Sequence, residues 1–299
     1  PPWQSCSRCR SVRLLNSSTS NSETGLTVQR FILTVSAFCF LCASVGLGIL
    51  RIIDDRQKSA FYGRFTSPRQ RSMILGTSLA AMGIRPTILN RELAGSGYEL
   101  PAYNFAFTIS YSPYGPPYFA SIKRKLMPGT RNGLFILEVN RFAFVERKGA
   151  YRLTRSNCPE WERPPASIRF PYLNPNVEYF VRYYHRPFYT LLSLDGKNKV
   201  GTLHPNGWFQ CKPASATRLP RERTLAKAEG YREKIAKHDP SPLRFDYFER
   251  IVDYLKNRGT VVIVYMPIAP ELADVKETFM TDFDVRISQL CARHQVPPS

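Results

Sequence analysis

The chain has 299 residues, enough for one large domain or two small ones, and its 42 basic against 23 acidic residues give a formal charge of +19. Such a charge favours an anionic neighbour: a phospholipid surface, an acidic polymer or a nucleic acid. The basic residues are scattered, without arginine-glycine repeats, zinc-finger spacing or a basic heptad helix, so nucleic acid is the weakest of these explanations.

A polar segment and an apolar segment open the chain. Residues 1–29 are rich in Ser, Asn and Thr and are predicted to be disordered. They contain one C-x-x-C motif, Cys6 and Cys9. The second cysteine pair of a zinc ribbon is missing, so no metal site is predicted. Residues 30–53 are predicted as a transmembrane helix, because the 20 residues Phe31–Leu50 contain no charge. Basic residues flank both ends, which leaves the orientation in the membrane open.

A polar connector is predicted for residues 54–71, and an α/β domain for residues 72–299. The domain opens with the apolar run Met73–Leu75, which predicts a strand and is followed by Gly76 and Ser78. A serine at the carboxyl end of a strand is placed as a nucleophile would be, and glycine permits the tight turn that exposes it. The alternative is a solvated serine in an ordinary turn. A loop is predicted after the serine, up to the proline that opens the next helix.

Strands and helices then alternate along the chain. Continuous apolar strands are typical of a parallel sheet buried on both faces. The alternation predicts an α/β fold, a three-layer sandwich with a mostly parallel, flavodoxin-like sheet, preceded by the one transmembrane helix. The first predicted elements are the helix Pro86–Ala94, the strands Tyr103–Phe107 and Gly133–Val139, and a helix over Tyr114–Leu126.

The alternation breaks between about residues 147 and 220, which are rich in Pro, Tyr and Arg and are predicted as an insertion that forms a lid or substrate wall. Within it, Gly201–Phe209 predicts a hairpin turned at Asn206-Gly207. Another strand would be due where the sequence ends, so the chain is expected to be a fragment. The elements after the insertion are a charged helix over Arg223–Lys237, an amphipathic helix from Phe245 to Leu255 that ends at Gly259, a strand Thr260–Met266 and one long helix Leu272–Leu290.

Three short motifs lie at three consecutive predicted strands. Gly76-Thr77-Ser78 follows the first strand, Asn104-Phe105-Ala106 lies in the second, and Asn140 follows the third. In this order they resemble the blocks of the SGNH (GDSL-type) hydrolase superfamily, in which the first block is Gly-Asp-Ser, the second often contains Asn-x-Gly, and the third supplies an asparagine. More closely, the chain resembles the membrane-anchored members found with polysaccharide and cell-wall O-acylation systems.

The resemblance implies a role for each of these residues. Ser78 would attack an ester, and its backbone N–H, a backbone N–H near Ala106 and the amide of Asn140 would hold the oxyanion, with Asn104 as the asparagine of the second block. No cofactor is implied. Thr77 stands where the superfamily has aspartate, which weakens the motif.

The superfamily's last block, an Asp-x-x-His that carries the general base, has no counterpart here. Among the four histidines, His185, His204, His238 and His294, none stands in such a motif. His204 could reach the site only if the insertion folds over it, and His294 is expected to be solvated or to cap the last helix. The base is therefore expected to lie outside the given sequence.

Three functions compete at this point. The first is a membrane-anchored serine ester hydrolase or O-acyltransferase whose domain lies outside the cytoplasm and acts on acylated glycans or cell-envelope polymers. The second is a non-catalytic accessory subunit of a multi-span membrane acyltransferase, motivated by Thr77 and the missing base. The third is a basic protein held at an anionic bilayer or nucleic acid. The binding surface of an accessory subunit would be the aromatic and basic part of the insertion: Tyr172, Tyr179, Arg182, Tyr183, Tyr184, Arg186 and Trp208.

Overall fold

A computed structural model describes residues 20–56, 61–149, 151–183, 201–211 and 221–297. The chain divides into two compact units, Pro1–Ile52 and Ile53–Ser299. The helices are α1 (Ser20–Arg56), α2 (Tyr62–Thr66), α3 (Ser78–Gly83), α4 (Pro86–Glu92), α5 (Pro116–Lys125), α6 (Pro164–Ser167), α7 (Val177–Tyr183), α8 (Arg221–Ala236), α9 (Pro242–Lys256), α10 (Pro270–Glu277) and α11 (Phe283–His294), with 3-10 turns at Arg141–Phe144 and Pro159–Glu162.

The first unit contains most of α1. Its stretch Thr27–Gly48 has 22 residues and a mean hydropathy of 2.1, so it is long and apolar enough to cross a bilayer. The helix begins at Ser20, and the prediction of disorder for residues 1–29 is therefore wrong from that residue onward. Extending a helix that an apolar run has already nucleated requires little further free energy, and no proline interrupts this segment.

The second unit is built on a parallel sheet of four strands, which lie in the order β2 (Ala102–Asn104), β1 (Ser72–Leu75), β3 (Gly133–Val139) and β8 (Gly259–Tyr265). Leu75 pairs with Leu137, so that Gly76 and Glu138, which follow them, lie side by side. The prediction of an α/β fold with a parallel sheet is confirmed. The other strands are β4 (Val145–Arg147), β5 (Gly201–Leu203), β6 (Phe209–Cys211) and β7 (His238–Pro240), with β4 and β7, and β5 and β6, forming antiparallel pairs.

Apolar side chains pack against the sheet in two main clusters. Successive residues of a strand point to opposite faces; along β3, Leu134 and Ile136 join the smaller cluster, whereas Phe135 and Leu137 join the larger one. Helices α3 and α4 contribute to the smaller cluster, and α5, α9 and α11 to the larger. Both faces of β3 are therefore covered, which explains its uninterrupted apolar sequence.

Helix α3 occupies the segment after Ser78, where a loop was predicted, and that prediction is wrong. The run Leu-Ala-Ala-Met consists of strong helix formers, and Ala80 and Ala81 are buried in the cluster that contains Ile74. With six residues, the helix is too short to produce an apolar periodicity that a sequence pattern could reveal.

A turn over residues 278–282 separates α10 from α11, so the single long helix predicted here is wrong. Met280 has a φ of +52° in this turn, and its carbonyl accepts the N–H of Phe283 at 2.9 Å. The side chains of Phe279 and Met280 are nevertheless buried in the larger cluster. The apolar pattern therefore continues across a break in the backbone helix.

Gly259 begins β8, whereas it was predicted to end the preceding helix. Its φ is +156°, and a Cβ atom there would lie 1.9 Å from the carbonyl oxygen of Gly133, its partner at the start of β3. Glycine is thus required by the close approach of two strands and not by a helix terminus.

Residues 61–66 were predicted as part of a polar connector but belong to the core of the second unit. Arg64 and Phe65 of α2 are fully buried. The Arg64 guanidinium donates from Nε to the Gly207 carbonyl at 2.6 Å and from Nη1 to the Ala106 carbonyl at 2.7 Å. These bonds tie α2 to the turn of the predicted hairpin and to the segment after β2. The hairpin itself is confirmed by the antiparallel pairing of β5 with β6.

A second buried cation lies on α5. The Lys125 ammonium donates to the carbonyls of Phe65 and Ser67 and sits over the rings of Tyr103 and Phe105, 5.6 and 5.4 Å from their centroids. Burial lowers the pKa of Lys125 from 10.5 to about 7. Between these two values the unfolded chain binds one more proton than the folded chain, so the free energy of unfolding rises with pH across this window.

We expect the Lys125→Met variant to lose this pH dependence. Relative to the variant, the wild type should gain up to about 1.4 kcal/mol of unfolding free energy per pH unit between pH 7 and 10. Denaturant unfolding of the full chain in detergent at several pH values measures the difference, with Lys123→Met, an exposed lysine on the same helix, as the matched control. Parallel stability curves for wild type and Lys125→Met would contradict the expectation.

Candidate functional site

A cavity of about 720 Å³ lies at the carboxyl ends of β1 and β3, and both Ser78 and Asn140 line it. Part of the predicted insertion, between Tyr151 and Glu160, supplies one wall. Most residues of the cavity wall, including those of the insertion, fall into two chemical groups. The apolar lining consists of Leu79, Met82, Ile109, Pro113, Phe142, Val145, Leu153 and Pro159, and the titratable or charged lining includes Glu146, Arg147, Glu160, Lys227, Tyr231, Lys234, His238 and Arg244.

The turn before Ser78 requires glycine. Gly76 has a φ of +139°, and a Cβ atom at this position would lie 2.6 Å from Oε2 of Glu138. Ser78 follows as the first residue of α3 and is partly exposed to the cavity. Its hydroxyl makes no hydrogen bond with any described residue, so it is available to a ligand.

Glu138, a fully buried carboxylate in β3, connects Asn140 to Thr77, the residue that precedes Ser78. Its Oε2 accepts the backbone N–H of Thr77 at 2.7 Å and the Thr77 hydroxyl at 2.9 Å. Its Oε1 accepts the Nδ2–H of Asn140 at 2.7 Å, and the same nitrogen lies 3.0 Å from the Thr77 hydroxyl oxygen, to which it donates its other hydrogen. The three side chains form one closed hydrogen-bonded ring.

The sequence contained a signal for Glu138 that the motif analysis missed. It is the only ionisable residue in the apolar strand GLFILEV, and a carboxylate in a buried strand is costly unless it is hydrogen-bonded. A buried acid two residues before Asn140 thus marks the same site as the motifs do.

Two buried tyrosines support the network from below. The Tyr114 hydroxyl donates to the Glu138 carbonyl at 2.5 Å. The Tyr118 hydroxyl accepts the Gly76 N–H at 3.1 Å and donates to the Phe105 carbonyl at 3.0 Å. Burial raises the pKa of both tyrosines, so both phenols stay protonated and remain donors at neutral pH.

Asn104 and Ala106 do not line the cavity. The fully buried Asn104 donates from Nδ2 to the carbonyls of Ala80 and Ile84, at 2.9 and 3.0 Å, and its Oδ1 accepts the N–H of Ala106 at 3.2 Å. The Ala106 N–H, predicted as an oxyanion donor, is therefore already engaged. In this geometry Asn104 fixes α3 against the end of β2, and only Ser78 and Asn140 of the four predicted residues meet at the cavity.

The histidines separate clearly in the structure. His204 stacks on Trp208 and bonds to Gln210, away from the cavity lining, and His294 bonds to carboxylates of α9. His185 lies outside the described residues. His238 lines the cavity, and its Nδ1 lies 2.7 Å from the Lys234 carbonyl; because a carbonyl only accepts, Nδ1 carries the proton and Nε2 carries the lone pair. No sequence motif identified it.

The acidic groups of the cavity are bound to protein partners, whereas three basic ones form no ion pair with a described residue. Glu160 pairs with the buried Arg244 at 2.9 Å, and Glu146 accepts the Ser241 hydroxyl at 2.8 Å. In the described part of the chain no ion pair involves the other cations of the lining, which are Arg147, Lys227 and Lys234. The cavity therefore presents positive charge beside an apolar wall.

No known protein family, curated protein or solved structure matches this chain. What the cavity does must therefore be argued from its residues.

Proposed function

We propose that the second unit is a serine ester hydrolase or O-acyltransferase of the SGNH type, anchored in a membrane by α1 and acting outside the cytoplasm on acylated glycans or cell-envelope polymers. The observation that carries the proposal is the position of Ser78. Its hydroxyl, which bonds to no described residue, lies at a glycine-dependent turn after a parallel strand, in a cavity that Asn140 also lines. The two apolar clusters support the three-layer arrangement of that superfamily.

The reaction follows from these groups. Ser78 Oγ attacks the ester carbonyl carbon while its proton passes to Nε2 of His238, the imidazole of the described lining. The N–H of Ser78 and the amide of Asn140 stabilise the negative oxygen. The ester C–O bond then breaks, the leaving alcohol takes the proton from His238, and the acyl group stays on Ser78. Water or an acceptor hydroxyl then attacks this acyl-serine and gives its proton to His238. The acyl–Oγ bond breaks, Ser78 Oγ takes the proton back, and the acid or the transferred ester leaves.

A non-catalytic accessory subunit of a multi-span membrane acyltransferase is the second candidate. One observation favours it: both N–H groups of Asn140 are donated within the protein, to Glu138 and Thr77. The aromatic surface predicted to bind such a partner is smaller than the sequence suggests, because Tyr179 packs on Tyr62 and Phe65. Tyr184 and Arg186 lie outside the described residues.

We expect Ser78→Ala to lower kcat/KM for an acetyl ester by at least about 1,000-fold, because it removes the nucleophile. The measurement is release of 4-nitrophenol from 4-nitrophenyl acetate by the full chain in detergent, together with covalent labelling by a fluorophosphonate. Ser110→Ala, a second serine of the cavity lining, is the matched control. Equal turnover in wild type and Ser78→Ala, or no labelling of the wild type, would favour the accessory subunit.

We expect His238→Gln to lower kcat/KM by about 100- to 10,000-fold, since it removes the proton acceptor while keeping a polar side chain of similar size. The same assay measures the difference. His204→Gln is the control, because that ring stacks outside the cavity. A variant with wild-type rates would transfer the role of base to another group.

The cations of the lining favour a substrate that carries negative charge. We expect the double charge reversal Lys227→Glu and Lys234→Glu to raise KM about three- to tenfold for an acetylated uronic-acid oligosaccharide, while KM for neutral 4-nitrophenyl acetate stays unchanged. The difference should shrink in 0.5 M salt as screening increases. Lys123→Glu, a lysine outside the cavity lining, is the control. An equal change for both substrates would argue against an anionic substrate.

A further inference from the structure

The closed ring of Glu138, Thr77 and Asn140 determines which end of the Asn140 amide faces each neighbour. A carboxylate has no hydrogen to donate, so the atom of Asn140 that lies 2.7 Å from Glu138 Oε1 must be the nitrogen. The Thr77 hydroxyl gives its own hydrogen to Glu138 Oε2 and can only accept from Asn140. Without the carboxylate, either orientation of the amide would fit.

The same carboxylate also holds the turn that carries the serine. Oε2 binds Thr77 through both its backbone N–H and its hydroxyl, and Thr77 directly precedes Ser78. One buried group therefore sets the position of the nucleophile and the orientation of the amide at the end of the neighbouring strand. Glu138 itself does not line the cavity.

We propose that Glu138 is a positioning residue that orients Asn140 to donate to the oxyanion formed at Ser78; this inference rests on the proposed function. The Asn140 N–H that bonds to Thr77, the residue before Ser78, exchanges its neutral acceptor, the Thr77 hydroxyl at 3.0 Å, for the charged oxygen of the intermediate. The other N–H remains on Glu138 throughout. Asn140 thus keeps its orientation while one hydrogen bond changes partner.

The Glu138→Gln variant tests this orientation. The backbone N–H of Thr77 cannot turn, so the oxygen of the new amide must face Thr77 and its NH₂ must face Asn140. The Asn140 amide then rotates by half a turn and directs its oxygen to the place where the oxyanion needs a donor. We expect kcat for 4-nitrophenyl acetate to fall between about 10- and 100-fold with KM within about twofold, because one oxyanion donor is worth this much or more.

The Thr77→Val variant tests the exchange and keeps the carboxylate. It removes the competing acceptor and the hydroxyl bond to Glu138 Oε2, which the backbone N–H of Thr77 still holds, so kcat and the rate of fluorophosphonate labelling should exceed those of the wild type. Glu162→Gln, an exposed glutamate away from the cavity lining, is the control for the loss of charge. A Glu138→Gln variant with wild-type or higher kcat, or a Thr77→Val variant that loses most of its labelling, would overturn the proposal.

A readout that needs no turnover separates this inference from the proposed function. In the full chain in detergent, with ¹⁵N on asparagine, the two side-chain protons of Asn140 are assigned as the pair absent from Asn140→Ala. Both should exchange slowly with solvent in the wild type, one should exchange fast in Thr77→Val, and their shifts should change in Glu138→Gln. Fast exchange of both protons in the wild type would overturn the orientation by Glu138 even if Ser78 is active. If both protons exchange slowly in the wild type but Ser78→Ala keeps wild-type activity, the proposed enzymatic function is rejected and the orientation of Asn140 by Glu138 is retained.

Discussion

The buried carboxylate of Glu138 constrains most of what surrounds it. A charged group in the core is stable only when donors surround it, and here three donors from Thr77 and Asn140 do so at 2.7 to 2.9 Å. Gly76 must lack a side chain because a Cβ atom would meet Oε2 at 2.6 Å. The ends of β1 and β3 are thereby joined by side chains as well as by the sheet.

This constraint gives a physical reason for threonine at position 77, where the proposed assignment to the SGNH superfamily expects the aspartate of Gly-Asp-Ser. An aspartate at position 77 would bring a second carboxylate close to Glu138, and two like charges in a buried site oppose each other's ionisation. Threonine provides a hydroxyl donor to the same oxygen without a charge. Thr77 and Glu138 are therefore compatible as a pair. The threonine that weakens the motif is the residue that suits the buried carboxylate of Glu138.

The parts of the fold that could be predicted are those in which a local pattern and a buried face coincide. Strand β3 has apolar neighbours on both faces, and its sequence predicted its limits to the residue. Helix α3 and the break at Met280 could not be found in this way, since the first is too short for a period and the second keeps its apolar side chains in the core. Of the site, Ser78 and Asn140 were predictable from strand ends. The N–H of Ala106 bonds to Asn104, whose side chain is held by the carbonyls of Ala80 and Ile84. This arrangement and the cavity position of His238 depend on residues distant in sequence.

A negative charge beneath an oxyanion also has to be compensated. Across the Asn140 amide the two charges would be about 5–6 Å apart, and at an effective dielectric constant of about 20 their repulsion is roughly 3 kcal/mol, comparable to the gain from one oxyanion donor. In the proposed reaction, the cations of the lining and the imidazolium formed when His238 accepts the serine proton act in the opposite sense. Glu138 is buried and does not line the cavity, whereas Arg147, Lys227 and Lys234 line the cavity wall. The negative and positive charges therefore lie apart. In this arrangement Glu138 can orient Asn140 while the surface that meets the substrate remains positive.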